Sequence, residues 1–244
     1  MAQSSSMVRL YVDAELSAGD DVDLGPDSSH YLTNVLRLAL GAPVRLFNGR
    51  DGEWVSRIES IAKRAITLHL IEQCRPQAPE PDIWLAFSPI KKSRTDFAVE
   101  KATELGITRL MPVITQFTST RRVNSGRLAA TAKEAAEQCH RLSVPNVDET
   151  RSFSELLAEW PRDRQMYALD ETGSGRAARD AFQGPPGPVG FVTGPEGGFS
   201  ESELDLLRAL DFVTLVSLGP RILRAETAVV AALSAYQAIV GDWH

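Results

Sequence analysis

The sequence predicts an α/β chain with a mainly parallel sheet, preceded by a small β-rich module, and three observations carry that reading. From residue 83 onward short apolar runs alternate with helical patterns, the order that builds a sheet with crossover helices. Before residue 75 the short runs are rich in β-branched and aromatic residues, with one helical stretch among them. Between the two, Pro76, Pro79 and Pro81 stiffen a connector that neither a helix nor a central strand tolerates. The expected division is a β-barrel domain over 1–75, a Pro-rich linker over 76–82 and an α/β domain over 83–244.

In the first part, strands are expected at 8–12, 43–47, 54–59 and 66–71. Asn48-Gly49-Arg50-Asp51-Gly52 separates two of them and has the residues of a hairpin turn with positive φ. Residues 30–37 read as a helix, with Asp27, Ser28 and Ser29 ahead of it to supply an N-cap. Short strands plus one helix in so few residues point to a small barrel.

In the second part, a strand over 83–87 is followed by a helix over 95–105, which Gly106 ends, and by a strand over 109–114. Leu128, Ala132, Ala135, Cys139 and Leu142 recur at helical spacing. A strand over 166–169 precedes a Gly- and Pro-rich loop over 172–188. Then come strand 189–193, helix 201–210, strand 212–218 and helix 226–240. Ser200 and Glu203 have capping-box spacing for the first of these helices. Val229, Leu233, Tyr236 and Val240 stripe the last one.

Composition bounds the function. A hydrophobic fraction of 43% fills a core. No apolar run is long enough to cross a bilayer, and the start lacks the pattern of a secretory signal, so no membrane partner is expected. Cys74 and Cys139 form no CxxC and fit a reducing cytoplasm, with no metal site expected. The net charge of −6 disfavours a nucleic-acid partner until its distribution is considered. The window 88–141 holds 10 Lys and Arg against 5 Asp and Glu. Screening over about 8–10 Å makes that local excess decisive for phosphate contact.

The densest chemical signal runs from Gly194 to Thr227. Gly194-Pro195-Glu196-Gly197-Gly198 and Leu218-Gly219-Pro220-Arg221 each follow an apolar run, as turns at the ends of parallel strands do where such folds bind cofactors. The first is neither a P-loop nor a dinucleotide fingerprint. Gly197 and Gly198 expose backbone N–H groups to a flat ligand, and Glu196 accepts from a hydroxyl or amine. Arg221, Arg224 and Glu226 lie among apolar neighbours. They admit two compatible readings: a catalytic set, and an Arg224–Glu226 ion pair at the start of the last helix. Lys91, Lys92, Arg94, Arg121, Arg122, Gln138 and Arg141 occupy loop or helix-end positions suited to RNA phosphates, and Arg9, His30, Arg37 and Arg50 add basic groups on the barrel.

At GPEGGFS followed by SLGPRILRAETA, the chain closely resembles the bacterial small-subunit (16S) ribosomal RNA uracil-N3 methyltransferases of the Rsm E type, of the SPOUT class. Arg9-Leu10-Tyr11-Val12, the stretch from His30 to Arg37, Lys101-Ala102-Thr103-Glu104-Leu105-Gly106 and Ala135-Ala136-Glu137-Gln138-Cys139 extend the likeness over nearly the whole chain. His140, where a small or polar residue is expected, and Ala225, where Thr is common, depart from the pattern. The resemblance implies a trefoil-knotted SPOUT domain behind a PUA-like RNA-binding barrel, and a homodimer with each site close to the partner. It implies S-adenosylmethionine held by Thr193–Gly198 and by Leu218, Gly219, Ile222 and Leu223, with Leu169 beside them. It implies a uridine of 16S ribosomal RNA as substrate, in the small ribosomal subunit. Arg221 or Arg224 would then stabilise a uracil anion.

Overall fold

The computed structural model describes residues 7–62, 65–120 and 122–243, and Arg121 lies outside them. The chain forms two compact units. The first takes residues up to Pro79 together with Ala136–Val144, and the second takes Glu80–Ala135 and Pro145 onward. The expected cut into consecutive segments therefore leaves out one exchange: a nine-residue stretch from the middle of the second part packs with the first.

The first unit contains β1 (Arg9–Tyr11), β2 (Asp21–Leu24), α1 (Pro26–His30), β3 (Pro43–Phe47), β4 (Glu53–Ile61) and β5 (Ile66–Arg75). They form a five-stranded sheet in the order β1-β3-β4-β5-β2. The turn between β3 and β4 holds Gly49 at φ 80° and Gly52 at φ 75°, as the Asn-Gly and Asp-Gly pairs predict. Gly52 also admits the chain leaving β5, because a Cβ there would stand 2.9 Å from the Gln77 nitrogen. Val22, Leu32, Val44, Leu46, Ile58, Ile66 and Leu68 close a core of their own.

Two local expectations change. Strand β2 was not anticipated, since Asp21 and Asp23 are poor strand formers and only Val22 and Leu24 face inward. The helix expected over 30–37 begins earlier, at Pro26, and gives way to a π-helical turn at Tyr31–Val35. Arg37 then takes a left-handed φ of 55°.

The second unit is built from β6 (Ile83–Phe87), α2 (Lys92–Glu104), β7 (Arg109–Ile114), α3 (Ser125–Gln138), β8 (Asn146–Val147), β9 (Arg151–Ser152), α4 (Phe153–Glu159), β10 (Gln165–Leu169), β11 (Arg176–Ala177), α5 (Ala178–Ala181), β12 (Val189–Thr193), α6 (Glu201–Arg208), β13 (Val213–Ser217) and α7 (Ala225–Ile239). The strand order is β11-β13-β10-β12-β6-β7-β8, with β9 also on β7, and every pairing is parallel. The all-buried pattern of β12 fits a strand covered on both faces. Gly190 on β12 leaves room for the Trp160 ring, which a Cβ there would strike.

The α3 helix stops at Gln138, short of Leu142, and His140 follows at φ 63°. Glycine is freest at such a left-handed position, and histidine is among the other residues that enter it more readily than most, so His140 is accommodated there. Beyond it Leu142 joins Phe47 and Ala136 in a small apolar cluster of the first unit. The stretch 172–188 contains β11 and α5, elements too short for any periodicity to reveal. Helix α4 escaped notice although Ser152 and Glu155 cap it reciprocally, as Ser200 and Glu203 do for α6.

Candidate active site

A cavity of about 190 Å³ opens at the carboxyl ends of β10, β12 and β13, where open parallel sheets bind ligands. Each wall comes from one strand-to-helix connection. Leu169, Asp170 and Glu171 leave β10; Thr193, Gly194, Pro195, Glu196 and Gly198 leave β12; Leu218, Gly219, Ile222 and Leu223 leave β13. Arg221 and Arg224 complete the last wall. Ten of the eleven residues expected to hold a cofactor thus line one cavity. Gly197 does not: it is exposed on the turn, and a Cβ there would stand 3.3 Å from Phe117 Cβ.

The first glycine turn is shaped by close approach. A Cβ on Gly194 would sit 2.9 Å from the Gly198 carbonyl carbon, so only glycine lets the turn fold back on itself. Gly198 has φ 69°, and the Glu171 side chain occupies the space where its Cβ would be. The sequence reading missed Asp170 and Glu171. Their signal was two carboxylates directly after a parallel strand, and the Gly- and Ser-rich stretch behind them masked it.

Asp170 is buried and accepts from Thr172 N (2.9 Å), Thr172 Oγ1 (2.9 Å) and Ser174 Oγ (2.8 Å). Burial pushes its carboxyl up, but these bonds outweigh it and hold the group below the usual carboxylate range. The turn that follows β10 is therefore tied to the strand end.

Glu226 does not pair with Arg224. It sits in the first turn of α7, 9% exposed, and its Oε1 lies 3.5 Å from Arg94 Nε. Arg94 NH1 also reaches Glu196 Oε1, at 3.8 Å. Arg94, expected to contact RNA, thus joins the glycine turn to the start of α7. Arg224 is the N-cap of α7, with an exposed side chain that makes no ion pair among the described residues. Arg221 is exposed as well, so two cations stand at the cavity rim.

Two expected RNA contacts are withdrawn on structural grounds. Arg9 is 6% exposed, pairs with the fully buried Glu53, and donates to the carbonyls of Ala136 (3.0 Å), Glu137 (2.7 Å) and Arg141 (2.7 Å). Arg141 is buried too, and donates to Ser143 Oγ at 3.2 Å. Arg9 ties residues 136–141 to β1, and Arg141 is held within its own segment by Ser143. His30, Arg37, Lys91, Lys92, Arg122 and Gln138 are exposed, as phosphate contact requires. Arg50 is exposed and donates to the Asp13 carbonyl at 3.3 Å. Among the described residues no group of His, Cys, Asp and Glu is arranged to hold a metal ion, and no helix is long and apolar enough to cross a membrane.

A three-walled cavity at the strand ends of a parallel sheet, in a chain that also carries a separate five-stranded β unit, is the setting of a small-molecule-dependent enzyme, and the family models make its class RNA methyltransferase. An RNA methyltransferase domain model matches residues 76–237, and an RNA methyltransferase PUA domain model matches 24–71. The chain belongs to the ribosomal RNA small subunit methyltransferase E family. The Rickettsia conorii member is 34% identical over 228 residues, covering 93% of each chain. A member from Neisseria gonorrhoeae, solved bound to S-adenosyl methionine, is 30% identical with a TM-score of 0.86, covering 98% of this chain and all of its own. A putative methyltransferase from Legionella pneumophila, solved with bound cofactor SAM, is 28% identical with a TM-score of 0.89, covering 97% and 99%.

The residues present fit that cofactor. Leu169, Val216, Leu218 and Leu223 give an apolar slot for a purine, and Gly194 and Gly198 keep backbone groups free of side-chain cover. The carboxylates of Glu171 and Glu196 suit hydroxyl or cationic groups.

Proposed function

We propose that this protein methylates N3 of a specific uridine in the 16S ribosomal RNA of the small ribosomal subunit, using S-adenosylmethionine. The observation that carries the reading is the convergence of both glycine turns on one cavity, in a chain whose relatives are named ribosomal RNA small subunit methyltransferases. The cofactor supplies an electrophilic methyl group when bound. Positioning is the main task left to the chain, since holding two reactants in line replaces a bimolecular encounter.

The cavity walls hold the donor, and Arg221 and Arg224 at its rim face the charge that develops as uracil loses its N3 proton. A guanidinium aimed at a developing anion lowers the barrier without moving during the reaction. Exposed Lys91, Lys92, Arg122 and Gln138 take backbone phosphates, and His30 and Arg37 do so from the first unit. In line with the family resemblance we take the active form as a homodimer, in which the exposed Ile222 side chain on the cavity wall would be covered. The chain acts in the cytoplasm, where its substrate is assembled.

The test is methyl transfer from labelled S-adenosylmethionine to small subunits from cells lacking the enzyme, with the product base mapped. Label on uracil N3 at one site supports the whole reading. Label on a ribose or another base retains the cofactor and overturns the specificity. No label and no cofactor binding would leave an RNA-binding assembly factor.

A further inference from the structure

Beta strands β12, β6 and β7 are neighbours in the parallel sheet, so the connections that follow them emerge side by side along one edge. The first is the glycine turn, the second carries Lys91 and Lys92, and the third carries Phe117 and Arg122. Their bases are stitched together. Ser88 N donates to the Thr193 carbonyl at 3.1 Å, and the Ser88 and Thr115 hydroxyls lie 3.2 Å apart. Beyond Thr115 the third connection is also fixed. Thr115 N donates to Thr118 Oγ1 at 2.9 Å, and Gln116 N donates at 2.8 Å to Glu203, the same carboxylate that caps α6.

On this rigid loop Phe117 is 49% exposed. A Cβ built on Gly197 would stand 3.3 Å from Phe117 Cβ, so Phe117 lies directly against the glycine turn that forms one cavity wall. A large aromatic side chain, held in place yet left open to solvent beside a ligand cavity, is not explained by core packing. The same and the neighbouring connection carry the exposed cations Lys91, Lys92 and Arg122, which suit an anionic partner over an apolar protein surface.

Uracil N3 takes part in Watson–Crick pairing, so a base methylated there must first be unpaired. Unpaired bases are held by aromatic faces, with the backbone held by cations. We propose that Phe117 is the platform on which the unpaired target uracil stacks, beside the cofactor cavity, with Lys91, Lys92 and Arg122 on the same and the neighbouring connection. This rests on the methyltransferase reading above and adds the subsite of its substrate.

The test compares the full-length wild type with Phe117→Leu, Phe117→Tyr and Phe117→Ala. Undermethylated small subunits serve as substrate, with KM, kcat, cofactor affinity by calorimetry and oligomeric state by sedimentation as readouts. Leucine keeps the apolar contact with Gly197 and removes the π face, and tyrosine keeps both. Phe117→Leu is expected to raise KM for the subunit about tenfold, and Phe117→Tyr to stay within about twofold of wild type, in line with the usual worth of one stacked base. Cofactor affinity and sedimentation should not change. Phe117→Leu matching wild type while Phe117→Ala fails would reduce Phe117 to packing and overturn the proposal. So would a KM effect accompanied by dissociation of a dimer, which would make a second copy the occupant. A wild type that binds cofactor but transfers no methyl would remove the functional reading itself, and this subsite with it.

Discussion

Arg94 and Glu226, 132 residues apart in sequence, face each other at 3.5 Å, and the same guanidinium reaches Glu196 at 3.8 Å. The contact ties the start of α7 to the glycine turn, and so joins two of the three cavity walls. Only one oxygen of the buried Glu226 carboxylate is served this way; Oε2 has no hydrogen-bond partner among the described residues.

Arg94→Ala is therefore expected to loosen the cavity as well as the fold. Arg94 is one-third exposed, so solvent screening limits the stability loss to about 1 kcal/mol, well below the cost of breaking a fully buried pair. The larger effect should be on cofactor affinity, a rise in Kd of about threefold to tenfold, with Arg94→Lys recovering part of it. Calorimetric titration with S-adenosylmethionine checks this, and an unchanged Kd would show that the ion pairs do not support the walls.

Arg9→Ala should act through stability and not through RNA contact. The substitution leaves Glu53, 0% exposed, with only the longer pairs to Arg45 (3.5 Å) and Arg75 (3.9 Å), and strips three carbonyls of residues 136–141 of their donor. Breaking a buried pair costs about 3–5 kcal/mol where the charge is left alone, and the two longer pairs offset part of that here. A melting curve should shift down strongly. A normal melt with weakened RNA binding would restore Arg9 to the RNA surface.

Gly194→Ala tests the close approach within the turn. The new methyl would meet the Gly198 backbone at 2.9 Å, and backbone cannot swing aside as a side chain does. Overpacking of this kind costs about 1–3 kcal/mol, and cofactor binding should weaken about tenfold as the turn spreads. Gly187→Ala, with nothing within 4 Å of the added methyl, is the matched control and should change neither quantity.

Asp170 sets an acid limit. Its folded-state pKa lies below its unfolded value because the Thr172 and Ser174 bonds outweigh burial. Its contribution to stability is then fully present above the unfolded value of about 3.9, and is lost as pH falls through the folded one. Asp170→Asn should destabilise the protein at neutral pH, and the gap from wild type should narrow below about pH 4. Urea midpoints across that range decide it; a gap independent of pH would mean that the loss is one of shape and not of charge.

Much of the site was legible before any coordinates. The two glycine turns, the Ser200–Glu203 cap and the alternation of strands and helices are set by backbone conformation and by partners within a few residues. Glycine at 194 and 198 and the hairpin glycines at 49 and 52 are requirements of this local kind, whereas the break at His140 was not read from the helical spacing that runs on to Leu142. So is the apolar run of β12, whose burial on both faces is written in its composition.

The roles of individual charges were not legible in the same way. Arg9 and Arg94 both read as surface cations, yet one is sealed among carbonyls and the other spans two carboxylates. Glu226 faces Arg94, from a distant helix, and not Arg224 two residues away. Residues 136–144 leave the unit that surrounds them in sequence and pack with the other. The reason is physical. The sequence by itself determined the turns, caps and strands, because φ, ψ and short-range hydrogen bonds depend on near neighbours. What a guanidinium or carboxylate does depends on the charges facing it and on how much water remains, and only the tertiary structure, by bringing distant segments together, decided that.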